Sequence, residues 1–137
     1  MQPAALAALH AVCFTTPRPW SETEFSGMLA LKGVFLHCAA QGFVMGRVIG
    51  DEAELLTIAV HPEARLRGQG RALLGAFEDQ ARTQAASKAF LEVADDNTPA
   101  RALYETNGWS ESGKRRRYYR HLDGRFSDAL LLTKPLK

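Results

Sequence analysis

Apolar residues along this chain recur first at helical spacing, then in short alternating runs, then at helical spacing again. Leu6, Leu9, Val12 and Cys13 repeat every three to four positions and predict an amphipathic helix over about residues 3–14. The stretch Thr15 to Pro19 carries two prolines and breaks it. Ser21 with Glu24 three residues later forms a capping box, opening a second helix that carries Phe25, Met28, Leu29 and Leu31 and ends near Gly33. Three short apolar runs follow, at 34–39, 43–49 and 53–60, separated by turns at Gln41-Gly42 and Gly50-Asp51. Strands joined so closely predict an antiparallel meander.

The pattern changes after His61-Pro62. Arg65 to Gly70 is a basic, glycine-containing loop, and beyond it Leu73, Leu74, Phe77 and Ala81 share one helical face over about residues 69–84. Phe90, Leu91 and Val93 mark a strand at 89–94. The turn Asp95-Asp96-Asn97 leads into a helix with Thr98 as N-cap, Pro99 at its first position and Gly108 just past its end. Two final strands, near 109–119 and 126–133, flank a turn at Asp123-Gly124. No internal repeat, low-complexity stretch or linker interrupts the order, so residues 1–137 read as one mixed α/β domain.

Composition narrows the function classes. At 137 residues the chain suits one domain. Seventeen Lys and Arg against fifteen Asp and Glu leave a formal charge of +2, too mild for nucleic-acid binding by bulk electrostatics. The run Lys114-Arg115-Arg116-Arg117 invites a nucleic-acid reading, but a solvated strand or turn end is favoured, with contact to another phosphate-bearing partner as a third possibility. Cys13 and Cys38 lie outside any CxxC pair and read as core thiols in a reducing compartment. Without a Cys/His cluster, no metal is expected. The apolar stretch Ala4 to Phe14 is interrupted by His10 and is shorter than the roughly 20 residues needed to span a bilayer. With no basic region ahead of it, it is not read as a signal peptide, and a cytoplasmic protein without a membrane partner is expected.

The chemistry concentrates between Ile58 and Leu74. There a strand runs through a glycine- and arginine-rich loop into the first turn of a helix. Unpaired N–H groups and the aligned dipole make that end positive, and glycine lets an anion approach the backbone closely. The segment is therefore a candidate phosphate cradle, the alternative being a tight turn that needs glycine for packing. It has neither the Walker spacing nor the third glycine of a dinucleotide fingerprint.

The run Arg65-x-x-Gly68-x-Gly70 after Ile58-Ala59-Val60 resembles motif A of the GCN5-related N-acetyltransferases (GNAT superfamily). The likeness continues through Leu91-Glu92-Val93, Asn97, Ala102-Leu103-Tyr104-Glu105 and Gly108-Trp109. Within the superfamily it looks closest to the RimI-type ribosomal-protein alanine N-acetyltransferases, through Pro19-Trp20-Ser21, Arg117-Tyr118-Tyr119 and Asp123-Gly124-Arg125. The resemblance implies a central mixed, mostly antiparallel sheet with helices on both faces, acetyl-CoA as cosubstrate, and direct acetyl transfer to a protein N-terminal α-amine. It implies coenzyme contacts from Ile58, Ala59, Val60, Arg65, Leu66, Arg67, Gly68, Gln69, Gly70, Arg71 and Asn97. It assigns Glu92 as the general base and Tyr104 as the general acid, with Tyr118, Tyr119 and Trp20 as candidates for the acceptor groove. Read from the residues alone, Glu92 is equally a strand carboxylate in an ion pair, Tyr104 a core tyrosine and Asn97 a capping residue. Family members usually begin with a strand before the first helix, so the first strand is expected to be missing here. Lysine side chains or small-molecule amines are the alternative acceptors, and a CoA-binding or RNA-binding module without turnover is the reading from another class.

Overall fold

The computed structural model describes residues 1–14, 18–64 and 68–137, and opens with α1 (Pro3–Cys13) and α2 (Glu22–Leu29). The strands β1 (Val34–Ala39), β2 (Gly42–Ile49) and β3 (Glu52–Val60) form the expected meander. A short 3-10 turn, Pro62–Ala64, leads toward α3 (Gln69–Thr83) and β4 (Lys88–Ala94). Then come α4 (Thr98–Thr106), β5 (Ser110–Arg120) and β6 (Phe126–Pro135). The six strands lie in the order β1-β2-β3-β4-β6-β5. Only β3 and β4 pair in parallel, which is the topology a strand, crossover helix and strand impose. The described chain begins directly in α1, and β1 is one edge of the sheet.

Each face of the sheet has its own apolar cluster. On one side α3 lays Leu73, Leu74, Phe77 and Ala81 against Val44, Leu55, Leu91, Leu130 and Leu132, and Tyr104 and Trp109 join them. On the other, α1 and α2 bring Leu6 and Phe25 onto Phe43, Met45 and Ala59. A bulge in β3 lets one strand serve both. Thr57 pairs with Met45 and Leu55 with Gly46, which leaves Leu56 as an extra residue. Before it, Ala53 and Leu55 face α3; after it, Ala59 faces α1 and Ile58 faces α3. Gly46, opposite the bulge, is where Phe77 and Phe35 come nearest the backbone: a Cβ there would stand 2.5 Å from the Phe77 ring.

Glu78 and His10 are buried and satisfied. Glu78 of α3 accepts from Lys134 Nζ at 2.6 Å and from Trp109 Nε1 at 3.3 Å. Arg82 Nη2 stands 3.7 Å from the Glu78 oxygen that Lys134 meets, so the buried carboxylate meets two cations. His10 of α1 accepts the Trp20 backbone N–H on Nδ1 at 3.0 Å, so the neutral ring donates its Nε2–H to Thr57 Oγ1 at 2.9 Å. Burial lowers its pKa to about 4, against a small opposing effect of Glu24.

Several sequence expectations are corrected. The second helix stops at Leu29, four residues before Gly33, because the chain already turns through Ala30 to reach β1. Val12 is exposed and His10 takes the inward position on α1. Cys38 is exposed rather than core, and Cys13 is half-buried with its thiol toward Val60 O at 3.3 Å. The N-cap of α4 is Asn97, not Thr98: its Oδ1 accepts the Ala100 N–H at 3.3 Å. Among the described residues no helix is long and apolar enough to cross a membrane.

Candidate active site

Parallel pairing between β3 and β4 covers only Glu52, Ala53 and Glu54 against Lys88, Ala89 and Phe90. Beyond that the two strands part: the register gives no further β3–β4 pair among the described residues, while β3 stays paired with β2 and β4 with β6. A backbone edge left open inside a sheet is a ready template for an extended chain. The bulge at Leu56 lies at the start of this opening. Ile58 and Val60 turn toward the α3 cluster, and Ala59 packs in the other.

At the mouth of the cleft, β3 ends in Val60 and α3 begins at Gln69. Gly68 is the N-cap of α3 at φ +79, a left-handed conformation that a side chain strains. The first turn holds Gln69, Gly70 and Arg71, with Arg71 exposed. A Cβ on Gly70 would stand 3.4 Å from Leu103 Cδ2, so α4 lies close beside this helix end. Arg65, Leu66 and Arg67 lie outside the described residues. His61 accepts the Glu63 N–H on Nδ1 at 3.2 Å and serves the turn.

Tyr104 and Glu92 flank the cleft from opposite faces of the sheet. Tyr104 is buried on the α3 side with its ring 6.0 Å from that of Trp109. Burial pushes its hydroxyl well above the usual phenol range. Glu92 sits between the buried Leu91 and Val93 and therefore points to the other face. There its Oε1 lies 3.1 Å from Arg115 Nε. Tyr119 of β5 is half-buried near it: burial first, then the negative charge of Glu92 and the proximity of Tyr118, push its hydroxyl to about 12, with Arg115 opposing. Tyr118 is exposed, edge-on to Tyr119 and 5.2 Å from the Arg115 guanidinium. Trp20 packs on Phe25 and His10.

Sequence reasoning missed one cluster. Ser127 Oγ donates to Asp96 Oδ2 at 2.7 Å, and His121 Nε2 reaches both Ser127 Oγ and, at 3.1 Å, the same Asp96 oxygen. One imidazole nitrogen serves both neighbours, so this is not the relay of a nucleophilic serine, in which the two ring nitrogens act separately. Its effect is mechanical. It ties the β5–β6 turn to the loop that carries Asn97 into α4. Nothing local announces it, since Asp96 lies 31 residues from Ser127.

The arrangement can seat an extended chain in the cleft, offer helix N–H groups to an anion at its mouth, and place a carboxylate and a phenol on either side. Comparison with known proteins identifies the family. The model of the acetyltransferase (GNAT) family matches residues 8–109. The [ribosomal protein bS18]-alanine N-acetyltransferase of Escherichia coli K12 is 36% identical over 122 residues, covering 86% of this chain and 82% of that one. The N-alpha-acetyltransferase RimI of Mycobacterium tuberculosis is 37% identical over 123 residues, covering 83% and 76%. The crystal structure of the ribosomal-protein-S18-alanine N-acetyltransferase from Escherichia coli superposes with a TM-score of 0.86 at 33% identity, over 99% of this chain and 88% of that one.

Proposed function

The chain belongs to the acetyltransferase (GNAT) family and is an N-acetyltransferase, and from that premise we propose that it moves acetyl from acetyl-CoA to the α-amine of a protein N-terminus. The acceptor we assign is the N-terminal alanine of a ribosomal protein, the acceptor that the name of the Escherichia coli relative gives, and we place the reaction in the cytoplasm. The observation that carries the reading is the parting of β3 from β4 beside Glu92, below the glycine start of α3.

Acetyl-CoA, when bound, supplies the thioester whose acetyl group is transferred. The β3 edge from Ile58 to Val60 would hold the extended pantetheine arm as an added strand, its N–H groups polarising the thioester carbonyl. Gly68, Gln69, Gly70 and Arg71, with Arg65, Leu66 and Arg67, would receive the pyrophosphate, and Asn97 would add a contact from the α4 cap. Glu92 takes the proton of the attacking amine, directly or through one water. The C–N bond forms as the C–S bond breaks, and Tyr104 returns a proton to the leaving sulfur. A phenol kept protonated by burial suits that task. Tyr118 and Tyr119 line the side from which a peptide approaches, and no covalent enzyme intermediate is required.

The test is CoA release with a short peptide bearing a free N-terminal alanine, beside the same peptide with its α-amine blocked and an internal lysine kept. Turnover with the free N-terminus only is expected. Turnover with the blocked peptide would move the acceptor to lysine, and binding of acetyl-CoA without turnover of either would overturn the α-amine reading.

A further inference from the structure

Positive charge gathers on the outer edge of the sheet. Every residue from 114 to 120 of β5 is Lys, Arg or Tyr, with no acid among them, while the rest of the chain carries more acids than bases. β5 is the last strand in the sheet order, and β6 pairs with it on one side only. Arg115 pairs with Ala129 and Tyr119 with Ser127, which leaves Arg116, Arg117 and Tyr118 opposite Asp128 alone. Such a bulge re-aims the side chains it carries. Asp128 Oδ1 fixes it by accepting the Arg117 N–H at 2.8 Å, and Arg117 is held at φ +52, a conformation rare for residues other than glycine.

The bulge sets guanidinium groups against exposed rings. Arg117 lies 4.6 Å over the ring of Phe126, and Arg115 lies 5.2 Å over that of Tyr118. Both rings are about half exposed, Tyr118 at 52% and Phe126 at 45%. Arg115 is engaged by Glu92 and Arg125 by Asp123. Lys114, Arg116, Arg117 and Arg120 are exposed, and among the described residues none of them is in an ion pair. We propose that this edge of β5 docks a single-stranded RNA, its phosphates on these four cations and its unstacked bases on the rings of Tyr118 and Phe126. An acidic protein would satisfy the cations and leave the rings unused, and a duplex keeps its bases stacked and out of their reach. The mild charge of the whole chain does not weigh against this, because at cellular salt charges more than about 8 Å away are largely screened and the local cluster decides. β5 stands three strands from β3, roughly 14 Å across the sheet, so the surface is separate from the coenzyme cleft.

The experiment is fluorescence anisotropy of a fluorescein-labelled dodecamer of oligouridylate, titrated with the full chain at 50 and 200 mM KCl. Four phosphate contacts predict an affinity about 50-fold weaker at the higher salt. Replacing Lys114, Arg116 and Arg120 together by Gln should flatten that dependence and abolish binding at 200 mM. F126A should weaken binding about 5–150-fold, the range for one lost base–aromatic stack, with its circular dichroism unchanged. Saturating acetyl-CoA should leave the RNA affinity as it is. Absence of binding at 50 mM KCl overturns the inference, as does full binding by the folded triple variant. Equal affinity for an RNA duplex of the same length, or wild-type binding by F126A, would reduce the surface to a charge contact and overturn it too. Displacement of the RNA by polyglutamate at equal charge would overturn RNA as the occupant in favour of an acidic protein.

Discussion

Tyr104 shows how a core tyrosine is fitted by its burial to the role of acid proposed for it. Its ring completes the α3-side cluster against Trp109, and the same burial keeps its hydroxyl protonated, as a proton donor must be. Tyr104→Phe removes only the hydroxyl, so acetyl-CoA affinity and fold should hold. Turnover should fall by about 10²–10⁴, the range for a lost general acid. Steady-state rates beside coenzyme titration would decide it, and a variant with wild-type turnover would remove Tyr104 from the mechanism. Glu92 is the harder residue to read. Its charge and its strand position were plain in the sequence, but its Arg115 partner lies 23 residues on, at the far side of α4, and no local pattern joins the two.

At the scale of elements, the docking of α1 on β3 depends on a neutral histidine. His10 is a base whose folded pKa, about 4, lies below its ordinary value of 6.5. The unfolded chain therefore binds a proton before the folded one does. The stability this group contributes is full above about pH 6.5 and is lost as pH falls toward 4, amounting to about 1–3 kcal/mol. Urea unfolding at pH 7 and at pH 4.5 should show that loss in the wild type and a flatter response in His10→Asn. Equal slopes would mean that the ring is not held neutral. The same contact explains what the sequence withheld. Ser21 with Glu24, the run 34–39 and the apolar face of α3 are local signals, and each appears where expected. The bulge at Leu56 sends no signal, because β3 buries alternate residues without interruption while the face they serve changes. Asn97 and Thr98 are both good caps, and only the chain path out of β4 selects Asn97.

For the whole molecule, the division of labour follows from the two faces of one sheet. The meander is covered by α1 and α2 on one face and by α3 on the other, the α3-side cluster reaches on to Leu91, Leu130 and Leu132 of β4 and β6, and the short parallel seam joins β3 to β4 at one end only. The family resemblance proposed Glu92 and Tyr104 as base and acid, yet it could not show that these two residues lie on opposite faces of the sheet. That placement follows from the register and from which neighbours of Glu92 are buried. The central claim is that the opening between β3 and β4 seats acetyl-CoA. Residue-resolved amide hydrogen exchange with and without saturating acetyl-CoA tests it most directly. The account predicts slowed exchange in residues 55–60 of β3 and 68–72 at the start of α3, with β1 unchanged. Protection confined to other segments, such as the basic run of β5, would contradict it.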